Sequence, residues 1–411
     1  MSGPRANHQI ELLQGGSEFF SALIHAIDNA LHEVRMETYI FHFDASGAPV
    51  ASALERAANR GVEVYLVVDG VGTPGIPDEW ADRFNVSGVQ WRVFLPLGHL
   101  GVFIPSRWRR LHRKLCVIDG STAFCGGINV LDDFSDPGSE MLSEPRLDFA
   151  VQVTGPLVLD ALETMSRFWW RMTLAADVAE REIPAAWHAL QARLRLALSK
   201  RKGSVAAPAM QARPPGSQGR GARADLVLRD NLRNRRRIER TYLRAIGAAR
   251  TEIIIANAYF LPGARLRKAL IHAAARGVRV RLLLQGRYEY FLQYHGSRPV
   301  IGLLLAAGVE IHEYAASFLH AKVAVIDGRW ATVGSANLDP LSMLLAREAN
   351  VVVHDRGFAS LLRTRLEHAM EHGGRQVDAA AFVDRSLRRR TLELLAYMAM
   401  RMGLFLIGRR Y

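Results

Sequence analysis

The pattern of apolar and polar positions alternates between two periods along the chain. In residues 53–70, ALERAANRGVEVYLVVDG, apolar residues first recur at helical spacing and then form a continuous run after an Arg-Gly pair. The same order occurs in residues 269–286, ALIHAAARGVRVRLLLQG. The first spacing predicts a helix and the second a buried strand, with a tight turn between them. This alternation predicts α/β layering with a largely parallel sheet, and it also allows strands of mixed direction.

A second, longer pattern occurs twice and carries polar residues at fixed positions. Residues 110–129 read RLHRKLCVIDGSTAFCGGIN, and residues 318–337 read FLHAKVAVIDGRWATVGSAN. Self-similarity at this scale indicates a duplicated structural unit. Each copy contains a His-x-Lys-x4-Asp motif: His112, Lys114 and Asp119 in the first, and His320, Lys322 and Asp327 in the second.

The chain of 411 residues is longer than the roughly 250 to 300 residues that one hydrophobic core usually supports. We predict an N-terminal half at 1–198 and a C-terminal half at 225–380, each with one motif. Residues 199–224 are rich in Pro, Gly, Ser and charge, which predicts a linker. We expect residues 381–411 to form an amphipathic tail that associates with a membrane, with a helix docked on the protein body as the alternative.

The formal net charge of +13 indicates attraction to polyanions, such as nucleic acid, an anionic bilayer or phosphate-bearing substrates. Charge alone does not choose among them. Only two cysteines occur, and their spacing predicts neither a zinc site nor a disulfide framework. Since no secretory signal and no apolar run of about 20 residues is found, we expect the bulk of the chain in the cytoplasm.

Lysine is rare in this arginine-rich chain, and its positions are informative. Two of the five lysines occupy the equivalent motif positions, Lys114 and Lys322. An ammonium is a compact point charge, whereas a guanidinium is a planar fork. The retention of lysine at both positions therefore indicates a site that needs point-charge donors for phosphate oxygens.

The repeated motif predicts phosphoryl-transfer chemistry. His and Lys lie two residues apart on a predicted strand, so their side chains leave the same face. When the halves pack together, two imidazoles supply a nucleophile and a general acid–base, and two lysines supply charge stabilisation. We expect no metal cofactor because the lysines would take the role of Mg²⁺. Asp119 and Asp327 either orient the histidines or are structural turn residues.

Further polar residues follow each motif. Asn129, Asn337 and Ser335 are candidate donors to phosphate oxygens. Asp148 and Glu348 enter apolar segments soon afterwards, where a carboxylate needs a partner. We interpret these two carboxylates as groups that orient the histidines, and an ordinary salt bridge is the alternative.

The paired motifs, each followed by Gly and Asn, resemble the phospholipase D superfamily over nearly the whole chain. The segments METYIFHFD, IIIANAYFLPG and GSANLDPLSMLLAREANVVVHD resemble bacterial cardiolipin synthases, most closely the cardiolipin synthase B group. The resemblance implies two similar α/β/α sandwich halves with the active site at their interface. It also implies transfer of a phosphatidyl group to phosphatidylglycerol, with phosphatidylethanolamine as another possible donor, and it makes His112 the nucleophile and His320 the acid–base.

Three other functions remain open at this point. Phospholipase D hydrolysis differs from transfer only in whether water or a lipid hydroxyl resolves the intermediate. A nucleic-acid phosphodiesterase would use the same motif and a basic surface, but apolar and aromatic segments beside basic ones favour lipid, so we expect no nucleic-acid partner. A catalytically inactive membrane-binding protein is disfavoured because both motifs are intact.

Two segments predict contact with an anionic membrane. Residues 97–110, LGHLGVFIPSRWRR, mix large apolar side chains with arginines, as does the tail at 381–411. An ordinary loop packed on the domain is the alternative for the first segment. We expect a peripheral protein of the cell membrane, on its cytoplasmic side.

Overall fold

A computed structural model describes residues 4–96, 105–135, 141–179, 221–230, 234–288 and 291–406. Most of the predicted linker lies outside these residues, as does most of the predicted interfacial segment at 97–110. The first strand of the C-terminal half begins at Ala222, inside the predicted linker boundary of 224.

The N-terminal half contains eight strands and four helices in its described part, with a short 3₁₀ turn at Pro105–Trp108. The strands are β1 (Arg5–Gln14), β2 (Glu33–Thr38), β3 (Glu63–Asp69), β4 (Gln90–Phe94), β5 (Arg110–Leu111), β6 (Leu115–Ile118), β7 (Thr122–Gly126) and β8 (Phe149–Thr154). The helices are α1 (Gly15–Asp28), α2 (Gly47–Asn59), α3 (Asp78–Ser87) and α4 (Leu157–Ala179).

The described part of the C-terminal half repeats this order and adds one strand and two helices at its end. Its strands are β9 (Ala222–Arg229), β10 (Glu252–Asn257), β11 (Arg279–Gln285), β12 (Glu310–Tyr314), β13 (Lys322–Ile326), β14 (Trp330–Gly334), β15 (Ala346–His354) and β16 (Gly374–Gln376). Its helices are α5 (Arg237–Ala248), α6 (Ala264–Ala275), α7 (Phe291–Ala306), α8 (Pro340–Leu345), α9 (Arg356–Gly373), α10 (Ala379–Val383) and α11 (Leu387–Leu406).

One continuous sheet runs through both halves, in the order β16-β12-β11-β10-β13-β14-β15-β9-β1-β8-β7-β6-β2-β3-β4. Strands β1 and β9 are neighbours at its centre, so equivalent strands of the two halves lie at matching distances from the joint. Only the helix-linked strands β2-β3-β4 and β10-β11-β12 are parallel along this path. The prediction of a largely parallel sheet is therefore wrong, because hairpins connect the motif strands to their neighbours and hairpins pair antiparallel.

The three largest apolar clusters among the described residues hold the layers together. Helices α1, α2 and α3 cover one face of the N-terminal strands, and α5, α6 and α7 cover one face of the C-terminal strands. A third cluster lies under α4 and α9 and contains residues from both halves, among them Leu147 and Leu319, which form a bridge between the halves. The two halves therefore share a core, and the joint between them is part of the folded structure.

The last described helix, α11, packs along α7. Glu393 and Ala396 are buried on its inner side, where the Glu393 carboxylate forms an ion pair with Arg385 at 2.5 Å. Within the described residues, the helices lack the combination of length and apolar character that crossing a membrane requires.

Candidate active site at the joint of the two halves

Each motif histidine is held by a carboxylate from the opposite half. His112 Nδ1 lies 3.0 Å from Glu348 Oε1, and His320 Nδ1 lies 2.6 Å from Asp148 Oδ2. Glu348 and Asp148 occupy equivalent positions, and both are almost completely buried. A carboxylate at Nδ1 fixes the tautomer and the ring orientation, which leaves Nε2 for chemistry. The two pairs are reciprocal, so neither is complete within one half.

Both histidines line a single cavity of about 680 Å³ at the joint. Asn129 and Asn337 also line it, at equivalent positions in the two halves. Much of the remaining wall is apolar and includes Phe318, Leu292 and Met400. The cavity therefore combines a small polar centre with an apolar surround, which is typical of a pocket that orients an amphiphilic ligand.

The two motif lysines are buried beside the histidines. Lys114 Nζ donates to the carbonyl oxygen of His112 at 3.0 Å, and Lys322 Nζ donates to that of His320. Burial lowers the pKa of Lys114 to about 7, because the ammonium loses its hydration. An anionic ligand would stabilise the protonated lysine and offset this loss.

Burial and cationic neighbours lower the pKa of both imidazoles and so favour their neutral form. Burial lowers the pKa of His112, and the nearby Glu348 carboxylate partly opposes this. The pKa of His320 is held well below its ordinary value by burial and then by the charges of Lys322 and Lys114. A neutral imidazole is the form that can attack phosphorus. Burial also raises the pKa of Asp148 to about 7, against the opposing effect of Lys322.

The motif aspartates do not orient the histidines, so that part of the prediction is wrong. Asp119 and Asp327 lie in the turns after β6 and β13 with φ of 50° in both cases, where each Asp-Gly pair turns the chain into a hairpin. The Asp119 carboxylate accepts from the backbone N–H groups of residues 31, 32 and 33. Asp327 does the same with residues 250, 251 and 252. Both carboxylates hold the start of a neighbouring strand. This agrees with the alternative prediction that the two aspartates are structural turn residues.

Ser335 does not line the cavity as the sequence predicted. It is fully buried, and its hydroxyl donates to Glu348 Oε2 and accepts from Ala349 N at 3.1 Å. Its equivalent is Gly127, where an added Cβ would lie 2.2 Å from Asp148 Oδ1. Ser335 thus supports Glu348, whereas in the other half a glycine leaves room for the shorter aspartate.

Comparisons with known proteins identify the family. A family model described as "Cardiolipin synthase, PLD-like domain" matches residues 23–142 and 242–370, one match in each half. Cardiolipin synthase B of Salmonella typhi is 36% identical, over 99% of this chain and 91% of that protein. The chain belongs to the cardiolipin synthase family of phospholipase D-like proteins.

More distant relatives agree with this family. Cardiolipin synthase A of Pseudomonas putida is 30% identical, over 89% of this chain and 69% of that protein. The crystal structure of a phosphatidylserine synthase from Haemophilus influenzae has a TM-score of 0.66 and 14% identity, over 97% of this chain and 94% of that one. The structural likeness concerns the fold alone. Together these findings confirm the resemblance and the α/β fold inferred from the sequence.

Tyr39 and Arg146 also line the cavity, although neither was predicted from the sequence. The Tyr39 ring centroid lies 5.0 Å from that of His112, and Lys114 Nζ is 5.4 Å from the same tyrosine ring. Arg146 lines the cavity, and its charge lowers the pKa of His320. Neither residue belongs to the duplicated pattern, so the repeat gave no signal for them.

The pH dependence of activity follows from these pKa values. Asp148 must be ionised to hold the imidazole, so kcat/KM is expected to fall as pH drops below about 7. Lys114 must be protonated to attract phosphate, so kcat/KM is expected to fall as pH rises above about 7. We expect a narrow bell-shaped profile of kcat/KM against pH, measured from initial rates of phosphatidyl transfer. Because these groups titrate together, its two apparent pKa values belong to the cluster and not to single residues. A flat profile between about pH 5.5 and 8.5 would contradict this expectation.

Proposed function

We propose that this protein is a cardiolipin synthase that transfers a phosphatidyl group to phosphatidylglycerol through a phosphohistidine, without a metal. The observation that carries the proposal is the reciprocal pair of histidines, each oriented by a carboxylate of the other half and both lining one cavity. Membership in the cardiolipin synthase family supports phosphatidyl transfer as the reaction.

In the first step, His112 Nε2 attacks the phosphorus of the donor phospholipid. The phosphorus–oxygen bond to the donor head group breaks, and His320 gives a proton to the departing alkoxide. With phosphatidylglycerol as the donor, glycerol leaves. The negative charge of the bound phosphodiester favours protonation of His320, which offsets the effect of the two lysines.

In the second step, a hydroxyl of the acceptor phosphatidylglycerol replaces the histidine. His320 takes the proton of this hydroxyl, the new phosphorus–oxygen bond forms and the bond to His112 breaks. Lys114, Lys322, Asn129 and Asn337 would stabilise the phosphate oxygens in both steps. The products are cardiolipin and free enzyme. Phosphatidylethanolamine would serve as donor by the same steps and release ethanolamine.

The direct test is to incubate the purified protein with phosphatidylglycerol vesicles in EDTA and to quantify cardiolipin, phosphatidic acid and glycerol by mass spectrometry. We expect equal amounts of cardiolipin and glycerol. Formation of phosphatidic acid without cardiolipin would show that the protein hydrolyses the lipid and does not transfer the phosphatidyl group. No lipid turnover, together with cleavage of single-stranded DNA, would replace the proposal by a nucleic-acid phosphodiesterase.

We further propose that the C-terminal segment holds the cavity against an anionic bilayer, on the cytoplasmic side of the cell membrane. The outer face of α11 exposes Leu394, Leu395, Met398 and Met402, and three exposed arginines begin the helix at 388–390. Met400, on the inner face, lines the catalytic cavity. Apolar side chains beside arginines suit the interface of an anionic bilayer. The segment is therefore both docked on the body and available to lipid.

Replacing Leu395 by glutamate is expected to weaken binding to anionic vesicles by about tenfold or more, because insertion of one leucine contributes roughly 1.5 to 3 kcal/mol. Leu395 is 59% exposed, so the fold should tolerate the change. Leu159→Glu on α4 is the matched control, since Leu159 is 60% exposed on another surface. Co-sedimentation with phosphatidylglycerol vesicles measures the effect, and equal binding of the two variants would argue against this surface.

A further inference from the structure

Two side chains at the ends of equivalent strands hold the segments before the motif histidines. Strand β3 ends at Asp69, and strand β11 ends at Gln285. Asp69 Oδ2 accepts from the backbone N–H of Leu111 at 2.7 Å, and Gln285 Oε1 accepts from that of Leu319 at 3.3 Å. Leu111 and Leu319 immediately precede His112 and His320. The two halves thus make the same backbone contact, with a carboxylate oxygen as the acceptor in one half and an amide oxygen in the other.

The next backbone N–H along each segment is held by the opposite half. His112 N donates to the carbonyl oxygen of Arg347 at 3.1 Å, and His320 N donates to that of Leu147 at 2.9 Å. Arg347 and Leu147 are the residues before the two carboxylates that hold Nδ1. Each histidine is therefore fixed by its own half at one peptide and by the opposite half at the next peptide and at the ring.

The first of these contacts sets the direction of the histidine through the backbone. The pairing of β5 with β15 and the bridge between Leu319 and Leu147 hold the N–H of each histidine, whereas the N–H of the preceding leucine donates to Asp69 or Gln285. The leucine side chains are buried, and Asp69 is fully buried. A peptide that turned at Leu111 or Leu319 would swing the following imidazole away from its carboxylate and from the cavity.

The two contacts differ in charge. Asp69 Oδ1 also accepts from Val71 N at 2.9 Å and from Arg110 Nη1 at 3.1 Å, so a buried ion pair supports the N-terminal half. Gln285 is neutral, and among the described residues its buried Nε2 has no hydrogen-bond partner. Gln285 can therefore be replaced without leaving a partner charge unpaired, which makes it the cleaner position for a test.

We propose that Asp69 and Gln285 are positioning residues, each of which fixes the motif histidine of its own half through the peptide N–H that precedes it. They act on the histidines through Leu111 and Leu319. Gln285 also lines the cavity, so a loss of substrate binding in its variants would appear in KM, whereas a misplaced histidine lowers kcat. The kinetic consequence rests on the proposed function, whereas the effect on the imidazoles does not.

The imidazoles can be observed directly in the full-length protein labelled with ¹⁵N-histidine. Gln285→Met keeps the side-chain length and removes the acceptor. We expect the Nδ1–H resonance of His320 to shift or to be lost to exchange, while that of His112 stays in place. Asp69→Leu, which likewise removes the acceptor, should perturb His112 and leave His320 unchanged. Thr332→Val, which removes a buried hydrogen bond to Val351 O in the C-terminal half, should leave both resonances unchanged.

Kinetics supply the second readout. Gln285→Met is expected to lower kcat by about 10- to 100-fold with little change in KM, since a small misplacement of a reacting group has effects of this size. Gln285→Glu keeps an acceptor for Leu319 N and should recover most of kcat at its own pH optimum. Equal loss in the Met and Glu variants, or an unchanged His320 resonance in Gln285→Met, would overturn the proposal. Absence of cardiolipin from the wild type would instead reject the proposed function and leave the resonances to decide this inference.

Discussion

Cardiolipin formation is expected to fall by at least about 10⁴-fold when His112 or His320 is replaced by alanine, since members of one catalytic unit show losses of this order or larger. The two variants should fail at different steps. In the proposed mechanism His112 is the nucleophile, so the variant without it should form no phosphohistidine. Without His320 the nucleophile remains, but the leaving alkoxide is not protonated and the acceptor hydroxyl is not deprotonated.

A phosphatidyl donor with a nitrophenol leaving group separates these roles, because nitrophenolate departs without protonation. His320→Ala is expected to release one equivalent of nitrophenolate per protein and then stop, with the phosphatidyl group on His112. His112→Ala should release none. His312→Gln, on β12, is the control histidine and should behave as wild type. A burst from His112→Ala and none from His320→Ala would reverse the assignment of the two histidines.

Removing the charge from either buried carboxylate is expected to lower kcat by roughly 10³- to 10⁴-fold. A loss of similar size occurs in serine proteases when the Asp of the catalytic triad is replaced by Asn. Asp148→Asn leaves an amide 2.6 Å from His320 Nδ1, and Glu348→Gln leaves one 3.0 Å from His112 Nδ1. An amide can present its N–H to the ring and favour the wrong tautomer. The substrate KM should change little because neither carboxylate is placed to bind phosphate.

Asp133→Asn is the matched control for these variants. Asp133 is a partly buried carboxylate of the same half, and it accepts from the backbone N–H of Gly16 at the start of α1. We expect this variant to keep wild-type kcat at a pH above the acid limb, where Asp148 is ionised in both proteins; because the Asp133 charge raises the pKa of Asp148, the acid limb should move to lower pH. If Asp133→Asn lost as much activity as Asp148→Asn at equal thermal stability, the orienting role of Asp148 would be contradicted. Full activity of Glu348→Gln would contradict the orienting role of Glu348.

The duplicated motif made the main features of the site predictable from sequence. Both copies contain His, Lys and Asn at equal spacing, so two half-sites could be inferred, and the packing of two such halves indicated one shared pocket. Asp148 and Glu348 could be recognised as buried carboxylates in apolar segments. The histidine that each carboxylate holds could not be predicted from the sequence, because the crossed pairing depends on how β1 and β9 join the halves.

Other features depend on tertiary contacts that local patterns do not contain. The spacing of Asp119 and Asp327 is compatible with orienting a histidine, but their carboxylates turn toward backbone N–H groups at the start of β2 and β10. Ser335 lies beside the cavity residues in sequence, yet it faces Glu348. Strand direction was also misjudged, because the helix–strand units are the parallel part of a sheet whose hairpins are antiparallel.

The crossed carboxylates have a consequence for how activity arises during biosynthesis. A newly made N-terminal half contains His112 and Asp148 but lacks Glu348, so its histidine has no orienting partner until the second half has been translated and docked. The C-terminal half is incomplete in the same way. Competence for phosphatidyl transfer therefore begins only once both halves have been made and joined, and a partly synthesised chain is inactive.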